Sequence, residues 1–300
     1  MIFLKIFAGA IASLAAAIFF YNLLIAWMMK RARAKCERNP HTGILRGAEP
    51  VYLEVPGRTA CLLIHGFIGS PTDWGKIPKR LHEAGYSVYV PLLPGHGTDP
   101  RDFSKVSADD LIRTVSYAYS NLKKKYNRVV LAGLSMGGAL SLLAAADQKV
   151  DALILLAPYL RIKHQAWYLF PAEGYHRVLA PFIPYIYRLP CFRQIFRREA
   201  LSGMIDYDFI STRGVSALFE INRRVREADI SKWNSPLLVI HSRKDKAVDY
   251  QASVELCRRL ERENIRFVTL ERSNHIITRD YEAAEVEREM LEFLAGIADA

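Results

Sequence analysis

Beyond residue 50 the chain alternates short β-branched apolar runs with longer amphipathic ones. The short runs are Val51 to Val55, Cys61 to His65, Ser87 to Pro91, Arg128 to Ala132, Asp151 to Ala157, Pro236 to His241 and Arg266 to Leu270. Helical patterns fill the intervals over Thr72 to Ala84, Ser107 to Lys125, Gly137 to Asp147, Ser253 to Glu263 and Ala283 to Ala298. Apolar strands separated in this way by helices predict a mostly parallel sheet with helices on both faces, an α/β class.

One interval breaks the alternation. Nearly eighty residues separate the run ending at Ala157 from the one starting at Pro236, with helical patches but no strand pair to extend the sheet. A structureless loop of that length is improbable, so residues of about 159–234 are read as a helical cap. It is rich in aromatics and arginine, including Trp167-Tyr168-Leu169-Phe170 and Phe182-Ile183-Pro184-Tyr185-Ile186-Tyr187. Most of these rings are expected to pack the cap onto the sheet. A cap over the sheet's C-terminal edge encloses an apolar cavity suited to an acyl chain, although no single substrate-binding residue within 159–234 can be assigned.

The first stretch follows a different pattern. Ile6 to Met29 is free of charge, and as a helix its 24 residues reach about 36 Å, more than the roughly 30 Å of a bilayer's hydrocarbon. A cleavable signal peptide competes, because Lys5 precedes Ala15-Ala16-Ala17; yet the apolar run continues to Trp27 with no small-residue site beyond it. An uncleaved single-pass anchor over residues 1–31 is the expectation. Lys30, Arg31, Arg33, Lys35 and Arg38 follow the span against Lys5 before it, which places the rest of the chain on the cytoplasmic side. Residues 32–50, polar and basic with Pro40 and Gly43, read as a juxtamembrane linker, and residues 51–300 as the globular domain.

Composition narrows the partners. The formal net charge is +10, yet no Lys/Arg run interleaves with aromatics in a nucleic-acid module, so attraction to an anionic membrane surface is the simpler account. Cys36, Cys61, Cys191 and Cys257 are scattered, without C-x-x-C spacing or a disulfide framework, and are read as reduced, mostly buried thiols. No H-E-x-x-H string or carboxylate cluster with metal spacing appears, so metal-assisted hydrolysis is not supported, and neither a P-loop nor a dinucleotide-binding string is present.

The chemistry centres on Gly133-Leu134-Ser135-Met136-Gly137, between a strand-like and a helix-like run. In that context a G-x-S-x-G string is a nucleophile elbow, where only small neighbours fit the sharp turn. A serine hydroxyl needs a base and the base needs an orienting acid. His275, in the loop before the C-terminal helix, is the candidate base. Asp245, after the strand ending at His241, is the candidate acid, with Asp249 as the alternative; the order serine, aspartate, histidine favours Asp245. The oxyanion formed on attack calls for two donors. The backbone N–H of Met136 supplies one, and that of Phe67, in His65-Gly66-Phe67-Ile68-Gly69, supplies the other. His96 and His241 are read as packing residues.

Together, His65-Gly66-Phe67, Pro94-Gly95-His96-Gly97, the elbow with Gly138, Asp245 with Val248, and His275-Ile276-Ile277 resemble the α/β-hydrolase fold. The likeness is to bacterial carboxylesterases and monoacylglycerol lipases of the thermostable-esterase type, and it covers about Val51 to Ile297. The resemblance implies a cap inserted after the sixth strand, Ser135, Asp245 and His275 as triad, Phe67 and Met136 as oxyanion hole, and no metal or cofactor. The expected activity is hydrolysis of small-molecule carboxylic esters, lipid-like acyl esters such as monoacylglycerols first among them, through an acyl-enzyme. Acyl transfer or thioester cleavage with the same triad is the enzymatic alternative, and a non-catalytic membrane-tethered binding protein the alternative from another class. Asn274 stands where the resembled proteins often carry glycine before the histidine, which puts the shape of that loop in question.

Overall fold

The computed structural model describes residues 1–163, 176, 178–230 and 233–298. Its main-sheet strands run β1 (Val51–Leu53), β2 (Thr59–Ile64), β3 (Ser87–Val90), β4 (Arg128–Leu134) and β5 (Ala152–Leu156). After a separate ribbon of β6 (Tyr185–Tyr187) and β7 (Phe209–Ser211), the chain returns with β8 (Leu237–Ser242) and β9 (Ile265–Leu270). The sheet order is β1-β3-β2-β4-β5-β8-β9, and every pairing is parallel except β1 on β3.

Register explains why the central runs are apolar at consecutive positions. Leu62, Leu131, Leu153 and Leu237 stand side by side across four strands. They join the core under α4 (Ala108–Lys125), which follows the one-turn α3 (Pro100–Phe103), and α5 (Met136–Asp147). One residue on, Leu63, Ala132, Ile154 and Leu238 form the next row and enter the opposite core. There Ile77 and Leu81 of α2 (Ile77–Glu83) meet Val286, Met290 and Leu294 of the C-terminal helix α8 (Ala283–Ala298). With both faces covered, alternate polar positions have no solvent side to occupy. Local signals agree with these packings: Ser107 and Asp110 form a reciprocal capping box at the start of α4, and Lys123 to Lys125 sit in its last turn.

Two expectations about the cap need correcting. It leaves the sheet after the fifth strand of the chain rather than the sixth, because a single antiparallel edge strand, β1, precedes β2. Nor is it purely helical: Tyr185, Ile186 and Tyr187 pair antiparallel with Ser211, Ile210 and Phe209, ahead of α6 (Thr212–Glu227). Alternating aromatic and β-branched residues suit such a ribbon better than a helix. Trp167 to Phe170 lie outside the described residues.

The N-terminal helix α1 (Ile2–Lys35) is long and apolar enough, by length and composition, to cross a membrane. Phe7, Leu14 and Phe20 are exposed on it, whereas Ile25 is buried. The helix continues unbroken past residue 31 to Lys35, and Arg33 in its last turn pairs with Asp99 at 3.3 Å.

Candidate active site

Ser135 occupies the turn between β4 and α5 with φ 55° and ψ −117°, a positive-φ conformation outside the left-handed helical well and costly for a residue with a Cβ. The glycines around it are required by close approach. A Cβ on Gly133 would lie 2.2 Å from the Gly137 carbonyl oxygen, and one on Gly137 would lie 2.1 Å from that of Ile64. The serine amide donates to the Leu156 carbonyl (2.9 Å), which fixes the elbow against β5.

From this turn the Ser135 hydroxyl meets His275 Nε2 at 2.7 Å, and His275 Nδ1 meets Asp245 Oδ2 at 2.7 Å. Burial alone would raise the Asp245 carboxyl, but the imidazoles of His275 and His241 and their hydrogen bonds outweigh it and hold the group well below the usual carboxylate range. An ionised carboxylate accepts, so Nδ1 of His275 carries the proton and Nε2 offers its lone pair to the serine. Asp249 takes no part: it caps α7 (Tyr250–Leu260) by accepting from the Gln251 amide (2.9 Å) and pairs with Arg161 at 2.8 Å.

The groups around the three side chains were less legible. The other oxygen of Asp245 accepts from the amides of Ala247 and Val248 (2.7 and 2.9 Å), locking the acid's rotamer. His241, expected only to pack, hydrogen-bonds Asp245 Oδ2 (3.2 Å) and Ser253 Oγ (2.8 Å) while fully buried. Its position at the end of β8, four residues before the acid, was the signal available. Asn274 proves compatible with the base loop: its φ is not positive, so glycine is not needed, and its carboxamide oxygen accepts from the Lys246 amide (3.0 Å), joining acid loop to base loop. Two buried carboxylates hold that loop from below. Glu282 accepts from the amides of Glu271, Arg272 and Ser273 and from the Ser273 hydroxyl, at 2.7–3.0 Å. Asp280 accepts from Asn274 (2.7 Å) and Tyr281 (2.9 Å) in the loop and from Phe196 and Arg197 (both 2.9 Å) in the cap.

Phe67 follows β2, next to Ile68, which also has a positive φ of 55°. The Gly66 amide faces Asp73 Oδ2 at 3.4 Å, while Met136 is the first residue of α5, so its N–H has no acceptor within the helix. His65 anchors the loop: Nε2 accepts from the Leu93 amide and Nδ1 donates to the Gly66 carbonyl, each at 3.0 Å, and burial keeps its pKa well below the ordinary histidine value. His96 is buried against Phe103 and His65, with Nδ1 bonded to the Pro94 carbonyl (2.9 Å), and does not reach Ser135.

Over Ser135 and His275 opens a cavity of about 500 Å³. The cap contributes Ile186, Leu189, Phe192, Ile210 and Leu218 to its wall, Ile186 and Ile210 from paired positions of the ribbon. Its volume lies in the range of small-molecule sites, and its lining is mainly apolar. Among the described residues no group of three His, Cys, Asp or Glu is arranged to hold a metal ion.

Comparison with known proteins places the chain among hydrolases. A thermostable monoacylglycerol lipase from Bacillus sp. (strain H-257) is 39% identical over 102 residues, 34% of this chain and 40% of that protein's length. A carboxylesterase from Bacillus subtilis (strain 168) is 25% identical over 239 residues, 79% of this chain and 93% of its own. The fold of a metagenome-derived lipolytic enzyme superposes with a TM-score of 0.76 at 24% identity, over 86% of this chain and all of that one. Residues 56–282 match the family described as Hydrolase_4, serine aminopeptidase, S33, and the chain belongs to this α/β-hydrolase family.

Proposed function

We propose that the chain is a carboxylester hydrolase in which Ser135 is the nucleophile, His275 the base and Asp245 the acid. The observation that carries this reading is the unbroken relay from Asp245 through His275 to the Ser135 hydroxyl, at 2.7 Å for each step, on the floor of an apolar cavity. In the first half-reaction His275 Nε2 takes the Ser135 proton as Oγ bonds to the acyl carbon. The amides of Phe67 and Met136 donate to the oxyanion, each such donor contributing about 3–4 kcal/mol. Collapse of the tetrahedral adduct breaks the bond to the alcohol, which leaves with the proton from His275. Water then gives its proton to His275 and adds to the acyl-enzyme, and Ser135 recovers its proton as the acid departs. Lipid-like esters such as monoacylglycerols are the leading substrates, because the cavity presents mainly aliphatic and aromatic side chains. The names of the Bacillus relatives point the same way.

The charge-free stretch of α1 supports a membrane span, and the basic residues after it support a cytoplasmic catalytic domain. Labelling with a fluorophosphonate tests the core of the reading: the wild type is expected to react and Ser135→Ala to stay unlabelled. A wild type inert to the probe and to p-nitrophenyl esters would sink it.

A further inference from the structure

The second half of α1 lies against the cap. The Tyr21 hydroxyl donates to the Tyr185 carbonyl (3.2 Å) and the Asn22 amide to the Phe182 carbonyl (2.9 Å). Ile25, one turn on, is only 4% exposed. These contacts fix the level at which helix and cap meet, and that level can be compared with a bilayer. From Ile6, the first residue past Lys5, to Tyr21 the helix rises about 22 Å. The hydrocarbon core is roughly 30 Å thick. An upright helix with Lys5 at the far interface therefore reaches the cap about 8 Å before it leaves hydrocarbon, and tilting the helix deepens the contact.

The cap's surface chemistry fits such a depth. Val178, Leu179, Phe182, Ile186, Leu189 and Phe192 are all exposed, Val178 to 65% and Phe182 to 57%, within fifteen residues of chain. No aspartate or glutamate occurs in the sequence from His176 to Arg198. Arg188 and Arg193 are neutralised by Asp206 and Asp208, and Arg197 and Arg198 follow the apolar residues. Apolar side chains bordered by arginines match acyl chains beneath anionic headgroups. The polar groups at the junction are bonded to one another, as lipid requires. Ile186, Leu189 and Phe192 also line the catalytic cavity.

We propose that α1 seats the cap in the same leaflet, with Phe182 and Ile186 among lipid and the cavity mouth opening to the membrane rather than to water. This rests on reading α1 as a span. The substrate then arrives along the membrane plane, as a single-chain amphiphile leaving the leaflet.

Photo-crosslinking of the full-length chain in phosphatidylcholine/phosphatidylglycerol vesicles tests the seating without using catalysis. Benzoylphenylalanine is installed at position 182, at 20 on the exposed face of α1, and at 117 on the exposed face of α4, and adducts are identified by mass spectrometry. Lipid adducts at 20 and 182 but not at 117 are expected. An adduct at 20 with none at 182, a protein cross-link at 182, or equal lipid labelling at 117 would overturn the proposal. Absence of lipid at 20 would overturn it together with the anchor reading, and leaves the hydrolase reading untouched. As a second measurement, Val178→Glu with Phe182→Glu, neither in the cavity wall, should leave turnover of soluble p-nitrophenyl butyrate unchanged. Hydrolysis of vesicle-embedded monoacylglycerol should fall at least about tenfold, in line with the cost of a charge at that depth. An equal effect on both substrates, or on neither, would contradict the seating.

Discussion

Replacing Asp280 by asparagine isolates what holds the base loop and the cap together. One carboxylate oxygen accepts from the amides of Asn274 and Phe196, the other from those of Arg197 and Tyr281, at 2.7–2.9 Å, and the residue is fully buried. Asparagine keeps one oxygen and turns an NH2 towards the other two donors. Two hydrogen bonds to a charged group are lost, each contributing about 1.5–3 kcal/mol, so Asp280→Asn should cost about 3–6 kcal/mol. At about 2–4 °C per kcal/mol for a chain approaching this size, Tm drops by about 6–24 °C. The same change releases the Asn274 amide next to His275, and a base displaced by an ångström loses about 10² in kcat/KM. Calorimetry and p-nitrophenyl ester kinetics on one preparation read both effects. A Tm within about 2 °C of wild type with unchanged kcat/KM would refute the reasoning.

Further expectations concern pH, the elbow and the choice of acid. Asp73 is buried, and burial together with Asp206 pushes its pKa up to about 7. Since its unfolded value lies near 4, the folded state holds a proton that the unfolded state has lost between those pH values. Stability should therefore fall by about 4 kcal/mol from pH 4 to 7 and level off above, and Asp73→Asn should flatten that limb in urea titrations across the range. If the mutant keeps the full slope, another group is responsible. Gly137→Ala drives a Cβ to 2.1 Å from the Ile64 carbonyl oxygen and should cost at least about 3 kcal/mol or yield insoluble protein; a soluble variant with wild-type Tm would contradict the close packing of the elbow. Asp245→Asn should lower kcat by about 10⁴, whereas Asp249→Ala should lower stability by about 1 kcal/mol with kcat nearly unchanged. The opposite ranking in steady-state kinetics would transfer the acid role to Asp249.

Much of the sheet was legible because its central strands are buried on both faces and read as continuous apolar runs: Arg128 to Ala132 and Pro236 to His241 fall within two residues of β4 and β8. Ser135, Asp245 and His275 could be singled out because loops at one sheet edge converge, and the structure brings their side chains together. Three-dimensional contacts were not legible in the same way. Nothing in the spacing of Asp280 and Glu282 marks them as acceptors for amides six to eleven residues upstream, and His241 gave only its nearness to Asp245. The Tyr185–Tyr187 ribbon was missed for a different reason: three-residue strands give too little periodicity to stand out among aromatics that also suit a packed cap.

The bonds from the base loop to the cap have a mechanical meaning. Besides Asp280, the Ile276 amide donates to the Gln194 carbonyl, and the Arg279 guanidinium donates to the carbonyls of Ala200 and Ser202. On the far side of this arm, the Tyr207 amide donates to the Ile68 carbonyl beside the oxyanion loop (3.0 Å). The stretch from Gln194 to Tyr207 thus behaves as a beam clamped at both ends to loops that carry the reacting groups. Lifting it would disturb the base and the oxyanion loop together. On the proposed reading, an ester that enters the cavity without breaking these bonds passes beside this stretch rather than beneath it, and a load on the cap would be carried into the alignment of Ser135, His275 and the Phe67 loop.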